Sequence, residues 1–172
     1  GAAANGGGTR VNQYTLVMDV LYPYASSGKR RALFQTQAAT TDDADLFLNE
    51  ADGLGVDGEF DGLVPPNTWT RIAVVVDLTA GIPTLTKYID GLWVAEQPLS
   101  EGLDGRWSLK PSSDGQPWAL LFADDSGETE SGYLGSLQFY SAALSDEDIA
   151  ALGGPEAGGT PAYASELSEP TL

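Results

Sequence analysis

The chain contains no cysteine and no histidine. Without cysteine there is no disulfide framework, no thiolate nucleophile and no zinc-thiolate site, although the compartment stays open. Without histidine, the Ser-His-Asp arrangement, histidine general bases and the commonest transition-metal ligand are excluded together. Positive charge is scarce too: 8 Lys and Arg stand against 25 Asp and Glu, a formal net charge of −17. Such an excess repels phosphates and anionic lipid headgroups, so nucleic acid is not expected as a partner. No apolar run approaches the roughly 20 residues of a membrane-spanning helix, so no membrane insertion is expected. No secretory leader is recognised in the residues from Gly1 onward, and the chain is expected to be a piece of something longer.

What is abundant is acid, and it has two readings. One is a solvated surface suited to a salty or extracellular medium. The other is calcium, a hard cation that wants several oxygen ligands and neither imidazole nor thiolate. The length, 172 residues, fits one domain with a sizeable core.

The stretch from Thr68 to Gln97 organises the chain and reads as consecutive antiparallel strands. Ile72, Val74, Val76 and Leu78 fall on one face and Arg71, Ala73, Val75 and Asp77 on the other, the alternation of a strand. Asp90-Gly91 sits between two β-rich runs and predicts a type I′ hairpin, which needs positive φ at both central residues. A two-residue loop there sets Ile89 opposite Leu92, Tyr88 opposite Trp93 and Lys87 opposite Val94.

Residues 1–10 are Gly- and Ala-rich, a linker or N-terminal arm. "YTLVMDVLY" predicts a strand buried on both faces, so Asp19 needs a partner. In "RRALFQT", Leu33 and Phe34 are the expected buried anchors. A meander of short strands follows through Leu46–Leu48 and Leu54–Val56, carrying Asp43 and Asp45 at alternate positions. That pair is either turn chemistry with edge protection or a shared cation site. Further on, Asp124, Asp125, Glu128 and Glu130 gather carboxylates between glycines in the most ligand-like loop of the chain, without EF-hand spacing. The last strand sets Leu137 and Phe139 on one face, both expected in the core. "LSDEDIAALGG" predicts one short helix: Ser145 as N-cap, Asp148 closing a capping box, Leu144 and Ile149 as a staple, Gly153 ending it. The domain is expected to occupy 11–153, with 154–172 a flexible or docked tail.

Periodicity alone reaches a β-sandwich or barrel. Four stretches between Val11 and Leu152 carry more: "YTLVMDVLY", "WTRIAVVVD", "KYIDGLWV" and "GYLGSLQFYSAALSDEDIAAL". Together they resemble the laminin-G-like, concanavalin A-like jelly rolls, in particular bacterial secreted modules. The resemblance implies an all-β fold, a two-sheet antiparallel jelly-roll sandwich with one short C-terminal helix, with ligands or calcium held at rim loops.

Hydrolases of this superfamily carry catalytic acids at alternate positions of one strand, in a Glu-x-Asp-x-(x)-Glu pattern. Retaining chemistry needs two carboxyls about 5 Å apart. No such strand is present; Glu128-Thr-Glu130 has the spacing but lies in a loop. Lyases of this fold use a Tyr with a His or Gln and an Arg, and no recognisable motif supports that either. Catalysis is therefore not expected. Pyranose faces stack on aromatic rings, and Tyr88 with Trp93 is the best exposed candidate for ligand binding. Trp69, Trp107 and Trp118 are scattered along the chain, and a Trp in a sandwich is more often core. Lys29, Arg30 and Arg31 form the only basic run, more simply a solvated turn than an anionic-glycan site. The expectation is an extracellular, calcium-stabilised, non-catalytic module binding a glycan or surface polymer, or positioning a neighbouring domain. The alternatives are an assembly module contacting adjacent domains or copies of itself, and then a polysaccharide hydrolase or lyase.

Overall fold

A computed structural model describes residues 6–36, 44–110, 119–124 and 126–157. The strands are β1 (Gln13–Leu21), β2 (Arg31–Gln35), β3 (Leu46–Leu48), β4 (Leu54–Val56), β5 (Glu59–Asp61), β6 (Thr70–Asp77), β7 (Thr84–Ile89), β8 (Leu92–Pro98), β9 (Leu120–Leu121) and β10 (Tyr133–Tyr140). One helix, α1 (Asp146–Leu152), follows. They form two five-stranded antiparallel sheets: a long one ordered β10-β1-β6-β7-β8 and a short one ordered β5-β4-β3-β2-β9. This is the two-sheet jelly-roll sandwich that the family resemblance implies, one of the two architectures that the alternating strands allow.

The main core lies between the sheets and takes Leu16, Met18, Ile72, Val74 and Val76 from the long sheet against Leu33, Phe34, Leu46, Leu48 and Leu54 from the short one. The long sheet is also covered on its outer face, where α1 lays Ile149 and Leu152 over Val17, Ala73, Val75 and Tyr88. That second layer explains why β1 and β6 read as nearly continuous apolar runs. The helix starts as its sequence predicts: Ser145 accepts from the Asp148 amide, Asp148 reaches back to the Ser145 amide, and Gly153 ends it at φ 60°.

The hairpin at Asp90-Gly91 forms with φ 51° and 78°, the positive pair a type I′ turn requires. Tyr88 faces Trp93 and Ile89 faces Leu92, but Lys87 faces Ala95 rather than Val94, because Val94 is left unopposed in a bulge. The slip turns Gln97 inward, where its amide donates to the Val56 carbonyl, and Lys87 reaches across the core to Asp61 at 2.6 Å.

Leu137 and Phe139, expected in the core, are 39% and 47% exposed. Their register is as read, Phe139 beside Leu16 and Leu137 beside Met18, so both face inward. However, β10 is an edge strand, and the corresponding edge of the short sheet is only the two residues of β9. Phe139 keeps a stacked contact with Tyr14, 5.4 Å between ring centres. Leu109 makes an isolated bridge with Val11, and Trp107 is buried, as a sandwich Trp more often is, with its carbonyl accepting from the Tyr14 hydroxyl.

Within the expected N-terminal arm, Thr9 and Arg10 are tied down. Asp104 accepts from both backbone amides, from the Thr9 hydroxyl and from the Asn12 side chain. Those bonds, that from Asn12 foremost, hold the Asp104 carboxyl down at about 2.

Candidate functional site

On the outer face of the long sheet, beyond the C-terminal end of α1, lies a cavity of about 370 Å³ lined by Asp19, Trp69, Gly135, Pro155, Glu156 and Ala157. Local rules place each wall. A bulge in the β1–β10 ladder falls between Asp19 and Val20, whose partners are Ser136 and Leu134, so Gly135 is the unopposed residue. A Cβ at Gly135 would stand 3.1 Å from the Trp69 ring, so the bare backbone there lets the indole lie against β10. Trp69 immediately precedes β6 and remains 43% exposed. Its apolar surface is thus offered to the cavity instead of the core.

The floor is an ion pair. Asp19 faces Arg71 across the β1–β6 ladder, and Arg71 donates Nε to Oδ1 at 2.7 Å and Nη2 to Oδ2 at 2.9 Å. Both side chains are almost fully buried. The remaining guanidinium arm, Nη1, donates to the Leu152 carbonyl, one of the carbonyls left without a partner at a helix end. Arg71 therefore couples the cavity floor to the end of the helix whose following turn, Pro155 to Ala157, makes the far wall. The partner that Asp19 was expected to need is this residue.

Of the aromatics expected to bind ligand, Trp93 is 57% exposed but Tyr88 only 2%. Tyr88 lies under α1 and donates its hydroxyl to Asp146 at 2.6 Å. Burial, with the hydrogen bond and charge of Asp146 behind it, pushes the phenol well above its usual range. The pair shares a face as the hairpin predicts, but the helix covers half of it, so it is not an exposed platform.

Of the acids proposed as metal ligands, those that the structure describes each have a protein partner. Asp43 and Asp125 lie outside the described residues. Asp45 is buried and committed: it accepts from the Thr36 amide and hydroxyl, both at 2.6 Å, and from Arg106 Nε at 2.7 Å. Burial raises its carboxyl, against the pull of Thr36 and Arg106. Asp124 accepts from the amides of Gly127 and Glu128 and the Ser126 hydroxyl, closing its own loop. Glu130 pairs with Lys29 at 2.9 Å and Glu128 with Arg30 at 3.6 Å. Arg30 also lies over the Phe47 ring at 4.2 Å, and Arg31 is buried against Asp52. Lys29 and Arg30 are thus counter-ions of the acidic loop, and of the run expected as a solvated turn only Lys29 is exposed while Arg31 is buried. Among the described residues no three acids come together in a group able to hold a metal ion.

The Trp69 cavity was not read from the sequence, because its walls come from β1, β6, β10 and the turn after α1. The available signal was a Trp next to a strand end in a chain whose one paired β1 acid needed a cation. Chemically it offers an indole surface, a neutralised carboxylate with lone pairs to spare, and the carboxylate of Glu156.

Several solved structures share the architecture. A candidate carbohydrate binding protein from Bacteroides ovatus superposes with TM-score 0.60 and 18% identity, over 85% of this chain and 42% of that one. The sialidase of Trypanosoma rangeli gives 0.57 and 15%, over 87% of this chain and 24% of the enzyme. The chain thus spans less than half the length of either. The CBM40 module of the Ruminococcus gnavus IT-sialidase, solved with α2,3-sialyllactose, gives 0.55 and 17%, over 85% of both chains. At these identities the likeness is one of fold. No curated protein sequence matches the chain significantly. The sequence itself matches the family model over residues 9–150, so that the chain, from the Asp104-anchored arm to the middle of α1, belongs to the concanavalin A-like lectin/glucanases superfamily.

Proposed function

We propose that this domain is a non-catalytic, extracellular glycan-binding module and that the Trp69 cavity is its binding site. One observation carries the reading: a half-exposed indole, made accessible by Gly135, walls a cavity whose floor is a buried, doubly hydrogen-bonded carboxylate. Sugar recognition needs an apolar surface for the ring C–H groups beside polar groups that are fixed in place. The Ruminococcus gnavus module, with sialyllactose bound, and the Bacteroides ovatus protein support it as folds of this kind associated with carbohydrate.

Two carboxylates, Asp19 and Glu156, line the cavity, and a glycosidase also uses two. Here both oxygens of Asp19 accept from Arg71, which suits holding a ligand better than giving or taking a proton. Trp69→Ala should abolish binding to the glycans retained by the wild-type domain on a glycan array, with the fold kept by circular dichroism. Equal binding by the variant would overturn the assignment of the site. Release of new reducing ends by the wild-type domain would overturn the non-catalytic part.

The assembly reading is favoured by one observation, the exposed apolar side chains of Tyr133, Leu134, Leu137 and Phe139 along β10. Sedimentation separates the two, because assembly requires reversible self-association or capture of an adjacent domain and the glycan reading requires neither.

A further inference from the structure

The charge around the Trp69 cavity points to a class of sugar. We infer that the site takes a glycan bearing a free ammonium group, such as a 2-amino-2-deoxyhexose unit, held between the Glu156 carboxylate and the Trp69 ring. This rests on the cavity being a glycan site and goes beyond it in fixing the ligand's charge.

Every cation near the cavity is already committed. Arg71 is 1% exposed and donates Nε and Nη2 to Asp19 and Nη1 to Leu152. Among the described residues no lysine or arginine lines the cavity. A sugar carboxylate placed there would meet no counter-ion, and it would approach a protein of net charge −17. An anionic glycan, the class bound by the Ruminococcus gnavus module, is therefore disfavoured on both the local and the long-range scale. The carboxylates differ in a complementary way. Asp19 is neutralised by Arg71, whereas Glu156 makes no ion pair or hydrogen bond within the described structure. Glu156 is exposed in the turn after α1, on the same cavity as the indole. A carboxylate lacking a partner beside an aromatic ring is the arrangement that recognises an alkylammonium: charge-assisted hydrogen bonding on one side and cation–π attraction on the other. The sugar ring carrying that ammonium supplies the C–H face for Trp69.

The test is calorimetric titration of the 172-residue domain with fully deacetylated glucosamine tetramer, its N-acetylated counterpart and sialyllactose. It is run at mildly acidic pH, where the amine is charged, and at about 0.15 M salt to suppress non-specific attraction. The deacetylated tetramer should bind roughly tenfold or more tightly than the acetylated one, with Glu156→Gln erasing that preference and Trp69→Ala erasing binding. Equal affinity for both tetramers, or preference for sialyllactose, would overturn the ammonium assignment while leaving the glycan site standing. Binding of the deacetylated tetramer unchanged in both variants would mean diffuse attraction to the acidic surface, and would overturn it too. Binding of none of the three would overturn this inference, and an array on which no glycan is retained would overturn the glycan reading with it.

Discussion

Asp19 and Arg71 show how one buried ion pair serves two structures. Each is almost fully buried, and their two hydrogen bonds join β1 to β6 while the third guanidinium arm holds the end of α1. A buried pair of this kind is costly to break because the survivor is left charged in low dielectric, whereas replacing both partners by apolar groups of similar shape costs much less. Asp19→Ala should therefore lower unfolding free energy by about 3–5 kcal/mol, and Asp19→Leu with Arg71→Met should recover most of that loss. Chemical denaturation of both variants checks it, and a double variant as unstable as the single one would refute the account. The double variant should also lose the cavity floor, so its glycan binding should fail although its stability returns. At this scale the sequence is half legible. An acid on a two-faced strand announces that it needs a cation, but the identity of that cation is set by the β1–β6 register. The same holds for Trp69, whose exposure depends on a glycine in a strand far along the chain.

At the scale of elements, local signals carried furthest. The Asp90-Gly91 hairpin and the Ser145 to Asp148 capping box are made by residues adjacent in sequence, so their chemistry needs no tertiary knowledge. The tertiary contacts then raise the stakes at Gly91. A Cβ there would stand 3.0 Å from the Gly153 Cα and 3.3 Å from the Ile149 carbonyl oxygen, so the hairpin tip is pressed against the end of α1. Gly91→Val should cost on the order of 1 kcal/mol from positive φ alone, and more from displacing the helix. Loss of helix-end amide protection in hydrogen exchange, beyond the shift in denaturation midpoint, distinguishes the second effect; an unchanged midpoint would sink both. What was misread at this scale depended on neighbours. Leu137 and Phe139 have the alternation of a core strand, but alternation reports which face a side chain takes and not whether a sheet lies opposite. Tyr88 likewise reads as a surface aromatic on a hairpin until a helix from later in the chain covers it.

For the molecule as a whole the question is what the acidity does. Of the described acids, Asp19, Asp45, Asp52, Asp57, Asp61, Glu128 and Glu130 each lie within 4.0 Å of a lysine or arginine nitrogen, and Asp104 and Asp124 are wrapped in N–H donors. With only 8 basic residues against 25 acidic ones, most of the negative charge still has no counter-ion in the chain. Dispersed charge of this kind repels itself and is relieved by any electrolyte through screening, over a Debye length of about 10 Å at 0.1 M salt. A caged calcium would act differently. It would bind the native state at a defined site and raise stability by about 2.7 kcal/mol at a hundredfold excess over its Kd. Since Asp45, Asp124, Glu128 and Glu130 each have a protein partner and no three described acids converge, the melting temperature should climb with ionic strength whatever the cation. Calcium and magnesium chlorides matched for ionic strength should give the same curve, and chelator should leave it unmoved. A calcium-specific rise, lost when Asp43 and Asp125 are changed to Asn, would overturn this expectation. It would implicate Asp43 and Asp125, both outside the described residues, in binding the cation and make the domain's stability depend on a bound ion as well as on the surrounding salt.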